Sequence, residues 1–195
     1  MFKKINKKTT SFTTGFSLIE LMVVIGIMAV IATISLFNYS SFNSELALTN
    51  LAYEVALTVR EAQVFGSSVK VSGAGSSFDN AYGVFFNKST PGSFISFVDS
   101  NGDREFDVGE ETATHTLSRG NTIADICRIK QSDNLNQCNE NFTHITFLRP
   151  SLDARIELSS SNPPYKGVVI ILGAPDNKQK AIRIQKTGQI SVESI

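Results

Sequence analysis

Read by hydropathy, the chain divides into three patterns. Residues 1–15 carry Lys3, Lys4, Lys7 and Lys8 and no acid. An almost uninterrupted apolar run follows from Phe16 to Phe37. About 22 residues at 1.5 Å each make a helix of roughly 30 Å, the thickness of a bilayer core. The lysines precede the run, so the positive-inside rule keeps the start in the cytoplasm and sends the rest outward. A secretory signal would have a shorter apolar core, about 7–15 residues, and a small-residue cleavage site behind it.

No proline occurs before Pro91, so the helix is expected to continue to about Phe65, with Gly66 as a stop. At 100° per residue, Leu48, Leu51, Ala52, Val55, Val59 and Ala62 share one face. Phe42, Leu46, Tyr53, Leu57 and Val64 lie nearly opposite, and Asn43, Asn50, Glu54 and Glu61 run between the two. A helix resting on a globular domain needs a single apolar face. The second stripe implies either a neighbouring helix from elsewhere or a domain that wraps both sides.

Beyond Gly66 the period shortens to that of strands separated by turn residues. The candidates are 69–72, 82–87, 94–99, 112–117, 123–130, 144–148, 154–158, 167–172, 181–185 and 189–192, with a turn at Pro91-Gly92. The pattern predicts an α+β fold: a long N-terminal helix, half transmembrane and half amphipathic, packed on an antiparallel β-sheet domain. The expected organisation is leader 1–15, membrane helix 16–37, amphipathic continuation 38–66 and β-rich outer domain 67–195.

Composition excludes several classes. The 195 residues are 42% hydrophobic and 18% charged, too apolar and too sparsely charged for a disordered chain. Eighteen basic and eighteen acidic residues balance, so the strong positive charge of a dedicated nucleic-acid binder is absent. With the four leader lysines removed, fourteen basic residues face eighteen acidic ones, a net charge of −4. No H-E-x-x-H, G-x-S-x-G, P-loop or dinucleotide fingerprint occurs, His115 and His144 fall in strand candidates, and the chain reads as a non-enzyme.

Glu20 is the anomaly of the apolar run. A carboxylate in the hydrocarbon region costs roughly 2.5–3.5 kcal/mol, and such an acid normally has a partner. Phe16 to Phe37 contains no other charge, so the partner comes from another chain or from a new amino terminus. The bland alternative is a carboxyl near the headgroups, or one that is protonated.

The segment Gly15-Phe16-Ser17-Leu18-Ile19-Glu20 behind its lysine-rich leader resembles the signal of type IV pilins and type II secretion pseudopilins. The resemblance implies cleavage by prepilin peptidase between Gly15 and Phe16, N-methylation of Phe16, and assembly through Glu20. It also implies other pilin or pseudopilin subunits, an inner-membrane assembly platform and the membrane as partners. Localisation would be the bacterial inner membrane, single-pass with the C-terminal domain outside, and then a periplasmic or surface filament. Residues 57–64 and 181–192 are similar to the H-type pseudopilins and related minor pilins. The implied function is a structural filament subunit. Its rival is a DNA-binding minor pilin of an uptake pilus, for which Lys178, Lys180, Arg183 and Lys186 are the candidate cations.

Two further features carry chemistry. In Asp99 to Glu111, oxygen side chains at Asp99, Asn101, Asp103, Glu105, Asp107 and Glu110 fall at the ligand offsets of a calcium loop, although Arg104 stands where such a loop has glycine. Six acids against Arg104 leave −5 in thirteen residues. Either Ca2+ answers that charge or the segment is a solvated acidic turn. Phe106 is placed to anchor the loop. Cys127 and Cys138 would lie outside the cytoplasm, where disulfides persist; they read as a structural bridge, with free thiols as the alternative.

Overall fold

The computed structural model describes residues 15–68, 80–131, 136–160 and 164–195. The strand candidate at 69–72 and most of the leader lie outside them. The chain divides into two compact units, Met1–Ser40 and Ser41–Ile195, each described here on its own. Helix α1 (Leu18–Ser67, 50 residues) supplies both, as the absence of proline predicted.

In the first unit the segment Leu18–Ser35 has a mean hydropathy of 2.5 and none of it is buried. It is long and apolar enough to cross a membrane. Its small polar side chains are satisfied inside the helix: Thr33 Oγ1 donates to the Ala29 carbonyl at 2.7 Å and Ser35 Oγ to that of Ile31 at 3.0 Å. That bonding removes the cost of carrying hydroxyls into hydrocarbon.

Among its described residues the second unit holds the continuation of α1, ten strands and a short 3-10 turn at Ser118–Gly120. The strands are β1 (Ala81–Asn87), β2 (Ser93–Asp99), β3 (Glu111–Thr116), β4 (Thr122–Lys130) and β5 (Asn136–Cys138), then β6 (Phe142–Phe147), β7 (Arg155–Leu158), β8 (Tyr165–Gly173), β9 (Gln179–Gln185) and β10 (Ile190–Ser194). Nine strand candidates within the described residues match nine of these. The three-residue β5 was missed, because Asn-Gln-Cys has neither alternation nor β-branched residues.

The expected antiparallel β-sheet domain is built as two sheets. The first runs in the order β3-β2-β1-β6-β7 and the second in the order β10-β9-β8-β4-β5, with every pairing antiparallel. Strand periodicity specifies which residues face inward but not which strand pairs with which. The larger of two apolar clusters joins them. It takes Leu48, Val55 and Val59 from the helix, Val84, Phe86, Ile145 and Phe147 from the first sheet, and Ile126, Val168, Ile170, Ile182 and Ile184 from the second. Each such side chain contributes about 1.5–3 kcal/mol on burial.

The predicted inner face of α1 is buried at every position from Leu48 to Ala62. On the opposite face Leu46, Tyr53, Leu57 and Val64 are 46–69% exposed. The domain therefore covers one side only. Gly66 is more than a stop, since α1 continues to Ser67. A Cβ there would collide with the Phe147 backbone, so glycine lets the helix end press against β6.

Candidate functional site

Three places were singled out in the sequence: the Gly15–Phe16 junction with Glu20, the acidic loop, and the cysteine pair. Gly15, Phe16 and Ser17 precede the helix in non-helical backbone. Phe16 is 88% exposed, and among the described residues nothing lies within 4 Å of the Cβ position of Gly15. The Ser17 carbonyl accepts the first helical bond, from Leu21 N at 3.2 Å. Glu20 stands in the first turn of α1, four residues after Phe16. Residues 16–40 contain no Lys or Arg, so this segment offers Glu20 no basic side chain.

The acidic loop connects β2 to β3. It does not stand free in solvent: it folds back over the outer face of the first sheet, the face turned away from α1. There Phe106 stacks on Phe85 at 5.2 Å and meets Phe97 edge-on at 5.6 Å. The Phe106 backbone N–H donates to His144 Nδ1 at 2.9 Å, and His144 itself stacks on Phe85 at 4.6 Å. Phe97 lies across Gly83, where a Cβ would come within 2.6 Å of its ring. Phe106 is thus the anchor, held on the outside of the sheet rather than in the helix-facing core.

The six candidate ligands occupy one loop, and much of their capacity is used inside it. Buried Asp99 accepts Gly102 N at 2.6 Å on one oxygen and Arg104 N at 3.0 Å on the other. Glu110 accepts Ser100 N and Oγ, each at 2.7 Å, and Asp107 N at 3.1 Å. Burial pushes the Glu110 carboxyl up, but these bonds outweigh it and hold the group below its ordinary value. The Asn101 amide bridges Asp103 and Asp107 at 3.0 and 2.9 Å, and Glu105 N donates to Asp103 Oδ1. Asp103, Glu105 and Asp107 are exposed. Glycines at positive φ, Gly102 at 86° and Gly109 at 103°, make the bends, a conformation that disfavours any Cβ. Arg104 adopts φ 69° without that freedom.

Cys127 and Cys138 face each other in the β4–β5 register and are joined as a disulfide. Asp125 lies close enough to both sulfurs to complete a group of three potential metal ligands. The bridge consumes both thiols, and Asp125 pairs with Lys88 at 2.8 Å. That group is structural.

Sequence reasoning passed over several residues. Glu140 is 1% exposed and accepts the Ser159 hydroxyl and the Ser160 N–H and hydroxyl, with Arg128 3.7 Å away. Gln63 and His144, both buried, lock loops to the helix and the sheet respectively. Nothing in their local sequence distinguishes them, because the loops they hold lie 38 to 125 residues away.

The cations proposed for nucleic acid have local partners. Arg183 bonds Glu193 through two nitrogens, at 2.8 and 3.2 Å, Lys178 pairs with Glu45 and Asp176, Lys180 donates to Ser194, and Lys186 sits 3.7 Å above the Tyr165 ring.

Comparison with protein families matches residues 13–36 to the prokaryotic N-terminal methylation motif. No curated protein and no solved structure matches the chain significantly. The motif spans Gly15, Phe16, Glu20 and most of the apolar run. With the one long apolar helix among the described residues and the two-sheet domain, it supports a type IV pilin-like protein, a structural subunit rather than an enzyme. Such a motif implies processing by prepilin peptidase and assembly with other pilins.

Proposed function

We propose that this chain is a minor pilin or pseudopilin of a type IV pilus or type II secretion filament, related to the H-type pseudopilins. Prepilin peptidase cuts between Gly15 and Phe16, Phe16 is methylated, and the protein waits in the inner membrane with its β-rich domain outside the cytoplasm. The observation that carries the reading is the one-sided burial of α1. Leu46, Tyr53, Leu57 and Val64 form a solvent-facing apolar stripe, and a monomer gains nothing from exposing it. Neighbouring helices in a filament would cover it. In the apolar interior of that filament the new ammonium of one Phe16 neutralises Glu20 of the next subunit, which fixes register and removes the cost of a buried charge.

Glu20→Ala should abolish or strongly impair filament incorporation while the outer domain keeps its wild-type melting temperature. Leu57→Arg should do the same from the stripe. Wild-type assembly of both variants would refute the reading. DNA binding is the rival, and the local pairing of Arg183 and Lys178 favours the structural reading over it; a salt-dependent gel shift by the full chain would reverse that preference.

We further propose that the loop from Asp99 to Glu110 takes Ca2+ through its exposed carboxylates. The support is the concentration of acid in the loop and the exposure of Asp103, Glu105 and Asp107.

A further inference from the structure

Arg104 is misplaced for the job its surroundings suggest. Five other members of the segment from Asp99 to Glu110 are acids, yet among the described residues none lies within ion-pair or hydrogen-bond reach of the Arg104 guanidinium. Only its backbone N–H is engaged, by Asp99. The half-buried side chain instead lines a cleft of about 490 Å³ shared with Arg155, Lys186, Tyr165, Asp153 and Glu157. The cleft lies where the edge strand β7 approaches the start of β8 and the β9–β10 turn. Its volume is in the range of clefts that hold small ligands.

The charges in this cleft do not cancel. Glu157 is engaged by Arg155 at 2.8 Å, which leaves Arg104 and Lys186 facing Asp153 alone. The Lys186 ammonium rests on the Tyr165 ring, so it is positioned without being neutralised. Arg104 reaches the cleft from a backbone at φ 69°, a region where a Cβ is unfavourable and glycine is the natural occupant. A glycine there would relieve the backbone but would remove the guanidinium. The strain is therefore retained with the side chain, and the side chain's only evident surroundings are the cleft.

We propose that this cleft binds an oxyanion, a carboxylate or phosphate group, with Arg104 as its principal ligand and Lys186 as the second cation. A planar guanidinium matches two oxygens of such a group, and a half-buried position screens the pairing less than open water does. The group comes either from a small free anion or from the acidic loop of a second copy of this chain.

The experiment is isothermal titration calorimetry on the full chain in neutral detergent and metal-free buffer. One arm uses inorganic phosphate, and the other a peptide with the sequence of residues 99–111. Binding of phosphate alone identifies a free-anion site; binding of the peptide identifies the neighbouring copy as the source. Arg104→Gly should weaken whichever binds about tenfold or more, the usual effect of losing a charge-assisted hydrogen bond. It should leave the melting temperature equal or higher. Lys186→Gln, an exposed position, should weaken binding without unfolding anything. No heat with either probe, or undiminished binding in both variants, overturns the proposal.

Discussion

Gln63 on the helix and Gly188 in the last turn lock the outer domain together across 125 residues of chain. Gln63 Nε2 donates to the Gly188 carbonyl at 3.1 Å and to the Leu152 carbonyl at 2.7 Å, while its Oε1 accepts from Arg60. Gly188 has φ 81°, and a Cβ there would collide with the Leu152 carbonyl oxygen and with Gln63 itself. The close approach is what lets one amide satisfy two carbonyls. Gln63→Ala leaves those carbonyls without a donor and should cost about 1–3 kcal/mol. Gly188→Ala should cost at least as much, since it adds backbone strain to a collision. Urea unfolding of the full chain in detergent measures both.

His144 makes the outer domain sensitive to acid. Burial pushes its pKa below the ordinary 6.5, against the opposing pull of Glu157, Asp103 and Asp107. As the acceptor from Phe106 N–H, Nδ1 must be deprotonated. The unfolded chain binds the proton more readily, so the stabilisation is complete above about pH 6.5. It is lost progressively as pH falls from there through the depressed folded value. Melting temperatures between pH 7.5 and 5.5 should therefore fall. His144→Phe, which cannot titrate, should lower stability by about 1 kcal/mol at pH 7.5 and flatten this part of the profile. A wild-type curve as flat as the variant's would contradict the assignment.

Reduction of the bridge between Cys127 and Cys138 opens a loop of 11 residues' separation. The chain-entropy relation gives about 3 kcal/mol for such a loop. Paired Ser substitutions should lower stability by that order, chiefly by loosening the short edge strand β5, while β4 remains paired to β8. Amide exchange should quicken at Gln137 and Cys138 and stay slow at Ile126.

Calcium, if it binds the acidic loop, acts by mass action. At about 100 times its dissociation constant it adds about 2.7 kcal/mol, equivalent to a rise of roughly 5–10 °C in melting temperature for a domain of this size. A chelator should reverse the rise. Asp103→Asn with Asp107→Asn should remove the response and leave the calcium-free stability near wild type, because both residues are exposed. An unchanged melting temperature in excess calcium would exclude the metal.

The Gly15–Phe16 junction came from a family resemblance, whereas the glutamate in the apolar run was readable because its meaning is local. A charge in a stretch of hydrocarbon side chains is anomalous wherever the stretch sits. The two stripes of α1 were readable for a similar reason, since a helix places residues on faces without help from the rest of the fold. Strand positions came through the same way, whereas β5 did not, because three polar or small residues carry no period.

From the sequence alone came an apolar helix of bilayer length, its amphipathic continuation with two stripes, and the position of nearly every strand. Each follows from a spacing of 2.0 or 3.6 residues or from the thickness of a bilayer. The tertiary structure decided that the strands form two sheets, that the second stripe of the helix lies open, and that the acidic loop folds back on His144 while Arg104 turns into a cleft. Those outcomes depend on which distant backbones come within bonding distance. A local pattern can say which side of a strand is buried, but only packing selects the neighbour.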